Sequence, residues 1–381
     1  MGLFDDLSEF VNRQARRLFR FSTLASIPST IALTRRFINS VNWKQAQSDI
    51  ESDLHRKVAI LGLANSGKST LFNTLRGYYA SAVSATAGTT TTTVQGDLGP
   101  FALVDTPGHL PDIQAQAAAE APIVLYLLDA SAGLRAQDLA TISNLRDDGK
   151  TLIVALNKAD LLTNPDDDAA KAASRLGVRD VIPISARDGD NVAEELIPAL
   201  IEASPEAAMI LGRQLPKFRR EAATKLVRNA ALVGLAAGLE PIPLVDIPIL
   251  LGNQIRMVLR VAAIYGEPLT ARHLRELITT VIGGLFFRYI AEEAAKIVPF
   301  GGDLVAGAIA AAGTWSLGMV AIEYFESGKR LSGDQLRDMF DRFYQKYRAQ
   351  TADAAKNQQP ASQLPPNAIV IDQEPPSASA R

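Results

Sequence analysis

Cysteine is absent from the 381 residues. This excludes disulfides, thiolate zinc sites and cysteine nucleophiles. Histidine is scarce: His55, His109 and His273 lie far apart, and no metal-ligand spacing links them. An excess of one charge is also missing, since 39 Lys and Arg against 41 Asp and Glu leave a net charge of −2. That balance argues against bulk nucleic acid as the main partner, and no DNA partner is expected. No early apolar run follows the acidic first residues, so no secretory leader is expected. Met1-Gly2 lacks a myristoylation context, because Asp6 stands where that motif wants Ser or Thr.

What is present is a folding composition, 47% hydrophobic and 21% charged. The length suits roughly two and a half domains at ~150 residues each. Composition divides the chain into 1–55, 56–204, 205–348 and 349–381. The first region is basic and amphipathic. Between Phe10 and Ser48 stand seven Lys or Arg and no Asp or Glu. Leu3, Leu7, Phe10, Val11, Gln14 and Leu18 recur near helical spacing, and Pro28 should break or kink the region. Two readings stay open: surface helices packed on the rest, or an interfacial helix on an anionic membrane. The last region, rich in Pro, Gln, Ser and Ala, is expected to be disordered.

The second region alternates short apolar strands with polar helices. Val58–Leu61, Phe101–Val104, Ile123–Leu128, Leu152–Leu156 and Val181–Ile184 are β-rich. Ser69–Arg76, Ala136–Asp147, Asp167–Leu176 and Ala193–Ala203 read as helices. The alternation predicts an α/β domain with a mostly parallel sheet covered on both faces. The third region reads as a helical, apolar domain, with a basic cluster from Arg213 to Arg228 and apolar runs at Ala230–Leu251, Leu277–Phe287 and Leu304–Ile322. The last run has 19 residues and no charge. At ~1.5 Å per residue it nearly spans a ~30 Å hydrocarbon core. Its Ala and Gly content makes insertion weak. Gly307, Gly313 and Gly318 would permit close helix contact in lipid or in a soluble bundle.

Gly62-Leu63-Ala64-Asn65-Ser66-Gly67-Lys68-Ser69 fits the phosphate-loop pattern and lies between a strand and a helix, as that pattern requires. Its glycines let backbone N–H groups curl around phosphate oxygens, and the helix N-terminus adds partial positive charge. Lys68 can neutralise the β- and γ-phosphates. The Ser69 hydroxyl, with Thr70 beside it, suits Mg²⁺ and phosphate. Asn157-Lys158-Ala159-Asp160 follows the strand Leu152–Leu156. A carboxylate at Asp160 can accept from guanine N1–H and its exocyclic amino group, a donor pair adenine lacks. Lys158 can lay its stem over the base, and Asn157 can bond the base and tie its loop to the phosphate loop. Backbone N–H groups of Ser185-Ala186-Arg187 could meet guanine O6. Asp105-Thr106-Pro107-Gly108 offers an acid for Mg²⁺ through water and a Gly108 N–H for the γ-phosphate. A threonine of Thr89–Thr93 can ligate Mg²⁺.

Lys68, Thr90, Asp105, Asn157 and Ser185 stand in the order of the five GTPase motifs, each at a strand or helix edge where open α/β sheets bind ligands. From about Lys57 to Ala203 the chain resembles the translation-factor-related P-loop GTPases of the Era and TrmE type. The resemblance implies a Mg²⁺-dependent GTP hydrolase with water as nucleophile, and Thr90 as the switch threonine. It also implies two alternative activators. Asn65 would help hold K⁺ at the β–γ bridge, or His109, a departure from Era-type sequences, would orient the attacking water as in elongation-factor-like proteins. Pro243-Leu244-Val245-Asp246, Asn253–Met257, Ala263–Gly266 and Ile297–Gly302 resemble the YcjF-type domain of unknown function found in predicted bacterial membrane proteins. The expected partners are therefore GTP and GDP, an unknown effector protein and a membrane, at its cytoplasmic face. RNA is disfavoured, because Ile282-Gly283-Gly284-Leu285 is set in apolar sequence, unlike the basic loop of a KH domain. A ribosome-assembly GTPase and a nucleotide-binding scaffold with little turnover are the rival readings.

Overall fold

The computed structural model describes residues 39, 41–86, 100–103, 121, 123–239, 246–281 and 303–356. Thr90, Asp105, Gly108, His109, the Gly283-Gly284 pair, Ile297–Gly302, the helically spaced positions from Leu3 to Leu18 and the tail after 356 lie outside the described residues.

Five strands, β1 (Val58–Leu61), β2 (Phe101–Leu103), β3 (Ile123–Asp129), β4 (Thr151–Asn157) and β5 (Ile182–Ile184), form one sheet in the order β2-β1-β3-β4-β5. Every pairing is parallel. β1 and β3 are buried along their whole length, which is why both read as unbroken apolar runs instead of alternating ones. The strand order reverses at β1, so a ligand crevice is expected at its carboxyl end.

Alternate residues feed two cores. Ala59, Leu61, Val124, Tyr126, Leu128 and Val154 face the helices Ala136–Asp147 and Pro165–Leu176, against Ile142, Leu145, Ala173 and Leu176. The second of these helices starts on Pro165 with three aspartates in its first turn, and stops on Gly177 at φ 63°. Val58, Ile60, Ile123, Leu125, Leu127 and Ala155 face the other way, against Leu71 and Leu75 of the helix Lys68–Thr86. That helix runs beyond the expected Arg76, because nothing follows Gly77 to stop it. After β5 a π-helical turn, Val192–Leu196, leads into the helix Ile197–Ala203. Ser204 then caps the next helix, Pro205–Gln214, accepting from the Ala207 N–H at 3.2 Å.

The helices Arg219–Leu239, Asp246–Ile264, Asp303–Glu326 and Gly333–Lys356 build the apolar region. Its core is continuous with the second sheet face through Ile197, Leu200, Ile201, Ala207 and Met209, all fully buried. The uncharged 304–322 run is its central helix. Residues 310–322 are buried without a break. Trp315 stacks on Tyr347 at 5.4 Å, and Gly318 meets Val227 so closely that a Cβ would lie 2.4 Å from it. A helix apolar all round must be covered on all sides, and protein covers this one over those residues. Among the described residues no helix is long and apolar enough to cross a membrane. The helix Trp43–His55 packs here too: Arg260 donates to Asp53 at 2.8 Å, with both side chains 12% exposed.

Candidate functional site

The loop from Gly62 to Gly67 leaves the end of β1 at the strand-order reversal. It needs three left-handed residues: Gly62 at φ 149°, Asn65 at 65° and Gly67 at 92°. Asn is among the few non-glycine residues that enter this region readily. The glycines are also demanded by space. A Cβ on Gly62 would lie 2.4 Å from the Leu127 carbonyl oxygen, and one on Gly67 2.1 Å from Asn157 Nδ2. Lys68 is buried and its ammonium donates to the Leu63 carbonyl at 3.1 Å, folding back across the loop. Ser66 Oγ is buried and has no hydrogen-bond partner among the described residues. Ser69 and Thr70 stand exposed in the first turn of the helix that follows. Asn65 is exposed, and its side chain makes no hydrogen bond among the described residues.

Asn157, the last residue of β4, is buried against this loop. Its Nδ2 donates to the Ser66 carbonyl at 2.8 Å, and its Oδ1 accepts from the Ala186 N–H at 2.9 Å. Thr74 Oγ1 donates to the Ala186 carbonyl at 2.6 Å, so both polar groups of that peptide are held. The Ser185 N–H is used as well, donating to the Asp190 carbonyl at 3.2 Å. Ser185 Oγ donates to Asp188 Oδ2 at 2.8 Å. The expectation from sequence is that backbone N–H groups of 185–187 could meet guanine O6, and two of the three have protein partners. Ser185 and Ala186 spend theirs on building the loop, and only the Arg187 N–H is uncommitted among the described residues.

Lys158 sits at φ 67°, ψ 36°, and Asp160 lies in the short 3₁₀ turn Ala159–Leu161. The Asp160 carboxylate accepts from Arg187 Nη2 at 3.4 Å. The Lys158 ammonium donates to Asp129 Oδ2 at 2.7 Å and to Ser131 Oγ at 3.4 Å. Asp129 also accepts from the Ser131 N–H at 3.0 Å and hydroxyl at 2.6 Å. Burial pushes the Asp129 carboxyl up, but the Lys158 and Ser131 hydrogen bonds outweigh it and hold the group below the ordinary carboxylate range.

The structure therefore brings together the predicted residues Gly62, Asn65, Ser66, Gly67, Lys68, Asn157, Lys158, Asp160, Ser185 and Ala186 at the carboxyl edge of the sheet. Sequence reasoning missed Thr74, Asp129 and Ser131. None belongs to a motif, although an acid closing the apolar run Ile123–Leu128 was a usable signal. The site can cradle phosphates at one end and present a carboxylate, a lysine and a buried amide at the other.

Residues 57–158 match a family model described as a 50S ribosome-binding GTPase. Residues 204–349 match a domain of unknown function, DUF697. Over 208 residues the chain is 32% identical to GTPase Der of Desulforudis audaxviator, covering 50% of this chain and 46% of that protein. It is 35% identical over 167 residues to GTPase Der of Halothermothrix orenii, covering 39% and 38%. Translation initiation factor IF-2 of Francisella philomiragia is 29% identical over 223 residues, covering 50% of this chain and 26% of that one. The chain thus spans less than half the length of these relatives. The parallel sheet with its loop after β1 is a P-loop GTPase fold, followed by a helical region.

Proposed function

We propose that this chain binds GTP and hydrolyses it to GDP and phosphate, as a molecular switch. The observation that carries the reading is Asn157, which locks the Ser66 end of the phosphate loop to the Ala186 loop. A phosphate cradle and a guanine-type recognition edge are thereby one rigid unit. Lys68 would lie along the β- and γ-phosphates, and Asp160 would accept from both guanine donors. The exposed Ser69 hydroxyl is a hard oxygen donor of the type Mg²⁺ takes. Ser69 and Thr90, with Asp105 through water, would hold that ion. It would supply charge neutralisation between the phosphates. Catalysis would rest on positioning and electrostatics, with water as nucleophile and the Gly108 N–H as the candidate donor to the γ-phosphate.

Base choice gives the direct test. Asp160→Asn should lose GTP and gain xanthosine triphosphate, whose C2 oxygen suits an amide donor. The loss of a charged hydrogen-bond pair should cost ~2–5 kcal/mol of GTP binding. Unchanged GTP affinity would refute the assignment.

Two partner readings accompany this activity. The basic, acid-free 10–48 segment supports peripheral attachment at the cytoplasmic face of a membrane, each basic residue adding ~1 kcal/mol near an anionic surface. Such attachment should weaken in high salt. The matched family description, a 50S ribosome-binding GTPase, supports a ribosome-associated role instead. Co-sedimentation of GTP-analogue-loaded protein with vesicles and with 50S subunits separates the two.

A further inference from the structure

We propose that Asp129 is a positioning residue for base recognition: from the end of the neighbouring strand it draws the Lys158 side chain across the base loop and fixes its stem as an apolar rail for the purine. This rests on the guanine-nucleotide reading above.

The geometry has three parts. First, Asp129 and Asn157 are direct partners in the β3–β4 register, and the Ala130 N–H donates to the Asn157 carbonyl at 3.0 Å. Asp129 is therefore referenced to the same strand end that carries the base motif. Secondly, the Asp129 carboxylate is held on both oxygens. It is 7% exposed, and two bonds from Ser131 hold one oxygen while the other receives Lys158, with the Arg135 guanidinium 3.9 Å from that same oxygen. Thirdly, Lys158 starts from a left-handed backbone, which aims its side chain back toward β3, and ends on Asp129 at 2.7 Å. Its ammonium would otherwise wander over many rotamers, and ordering such a chain on ligand binding costs entropy. Tethered at both ends, the four methylenes are ordered in advance. Lys158 remains 31% exposed, so the stem is open on one side.

The alternative is an ordinary structural ion pair that would stabilise the fold and leave recognition untouched. A double-mutant cycle on the full chain distinguishes the two, read by dissociation constants for fluorescent GDP and by melting without nucleotide. Asp129→Asn keeps the shape and removes the charge. It should weaken GDP ~10-fold, Lys158→Ala should weaken it by as much or more, and the double variant should lose no more than Lys158→Ala alone. Asp129→Glu should recover part of the loss. Ser131→Ala, which leaves both charges but frees the carboxylate, should weaken GDP ~3-fold and have no effect in the Lys158→Ala background. It keeps the idea testable if Asp129→Asn melts too early to assay. Unchanged GDP affinity in Asp129→Asn, or losses that add independently of Lys158, would overturn the inference. So would an affinity loss that merely tracks a lower melting point in Ser131→Ala. If the wild type bound no guanine nucleotide, the functional reading itself would fall, whereas tight wild-type binding left intact in the variants removes only the role of Asp129.

Discussion

The side-chain amide of Asn157 spans two loops that are far apart in the chain, donating to the Ser66 carbonyl and accepting from the Ala186 N–H. An aspartate at 157 could accept but not donate, and a leucine could do neither. Only an uncharged amide satisfies both ends in this buried place.

Asn157→Ala should therefore loosen both halves of the site. Two lost hydrogen bonds at roughly 0.5–1.5 kcal/mol each predict a fall of about 5- to 150-fold in GTP and GDP affinity alike. Titration with fluorescent nucleotides checks this. Unlike Asp160→Asn, the variant should show no new preference for xanthosine nucleotides.

Water activation is open to a salt test. Asn65 is exposed, and its side chain makes no hydrogen bond among the described residues. Hydrolysis is expected to run faster in KCl than in NaCl, and Asn65→Ala should erase that difference. His109→Ala should leave the salt ratio intact. A fall of ~10-fold or more in both salts, at least ~1.4 kcal/mol of barrier with GTP affinity preserved, would assign the water-orienting role to His109 instead. Phosphate release in the six combinations settles it.

Glu202, in the helix Ile197–Ala203, accepts from Lys225 at 2.9 Å and from Arg228, both in the helix Arg219–Leu239. Burial raises the Glu202 carboxyl, yet the two cations outweigh it and hold the group below its ordinary value. A lowered folded-state pKa contributes stability above the unfolded value near ~4.5, and that contribution is lost as pH falls through the folded value. Melting temperature should drop on acidification below about pH 5. Glu202→Gln should lower it at pH 7 and flatten that part of the acid dependence.

Inside the helical region the sign of a mutation should follow space. Gly318→Ala would drive a Cβ to 2.4 Å from Val227 and 3.0 Å from Met257 Sδ. It should destabilise by ~1–3 kcal/mol even though alanine favours helix. Trp315→Ala removes a side chain 2% exposed and should cost ~3–5 kcal/mol. Chemical denaturation of the full chain measures both.

The sheet and much of the site could be read from sequence because their signals are local. β1 is the predicted Val58–Leu61, the helix Ala136–Asp147 is as expected, and the phosphate loop sits between strand and helix as its pattern demands. What escaped depends on contacts between distant residues. The 304–322 run has no polar face, so its sequence looks the same whether lipid or neighbouring helices cover it. Gly318 was visible as a close-contact residue, but its partner Val227 was not. Asp129 lies just past the predicted run Ile123–Leu128, and the lysine it holds is 29 positions away.

The continuous core beneath the sheet also sets a schedule for synthesis. Ile197, Leu200 and Ile201 reach zero exposure partly through helices that lie later in the chain. The later helices that pack on this flank, Pro205–Gln214 and Arg219–Leu239, are complete at Leu239, 36 residues after Ala203. At ~5–20 residues per second, the nascent sheet waits roughly 2–7 s with that flank uncovered. During this interval the emerging polypeptide offers chaperones an apolar surface, and the tie from Asn157 to Ala186 has no finished helical base under it. A nucleotide captured at that stage would act first as a folding ligand, steadying the sheet before the helical region is complete.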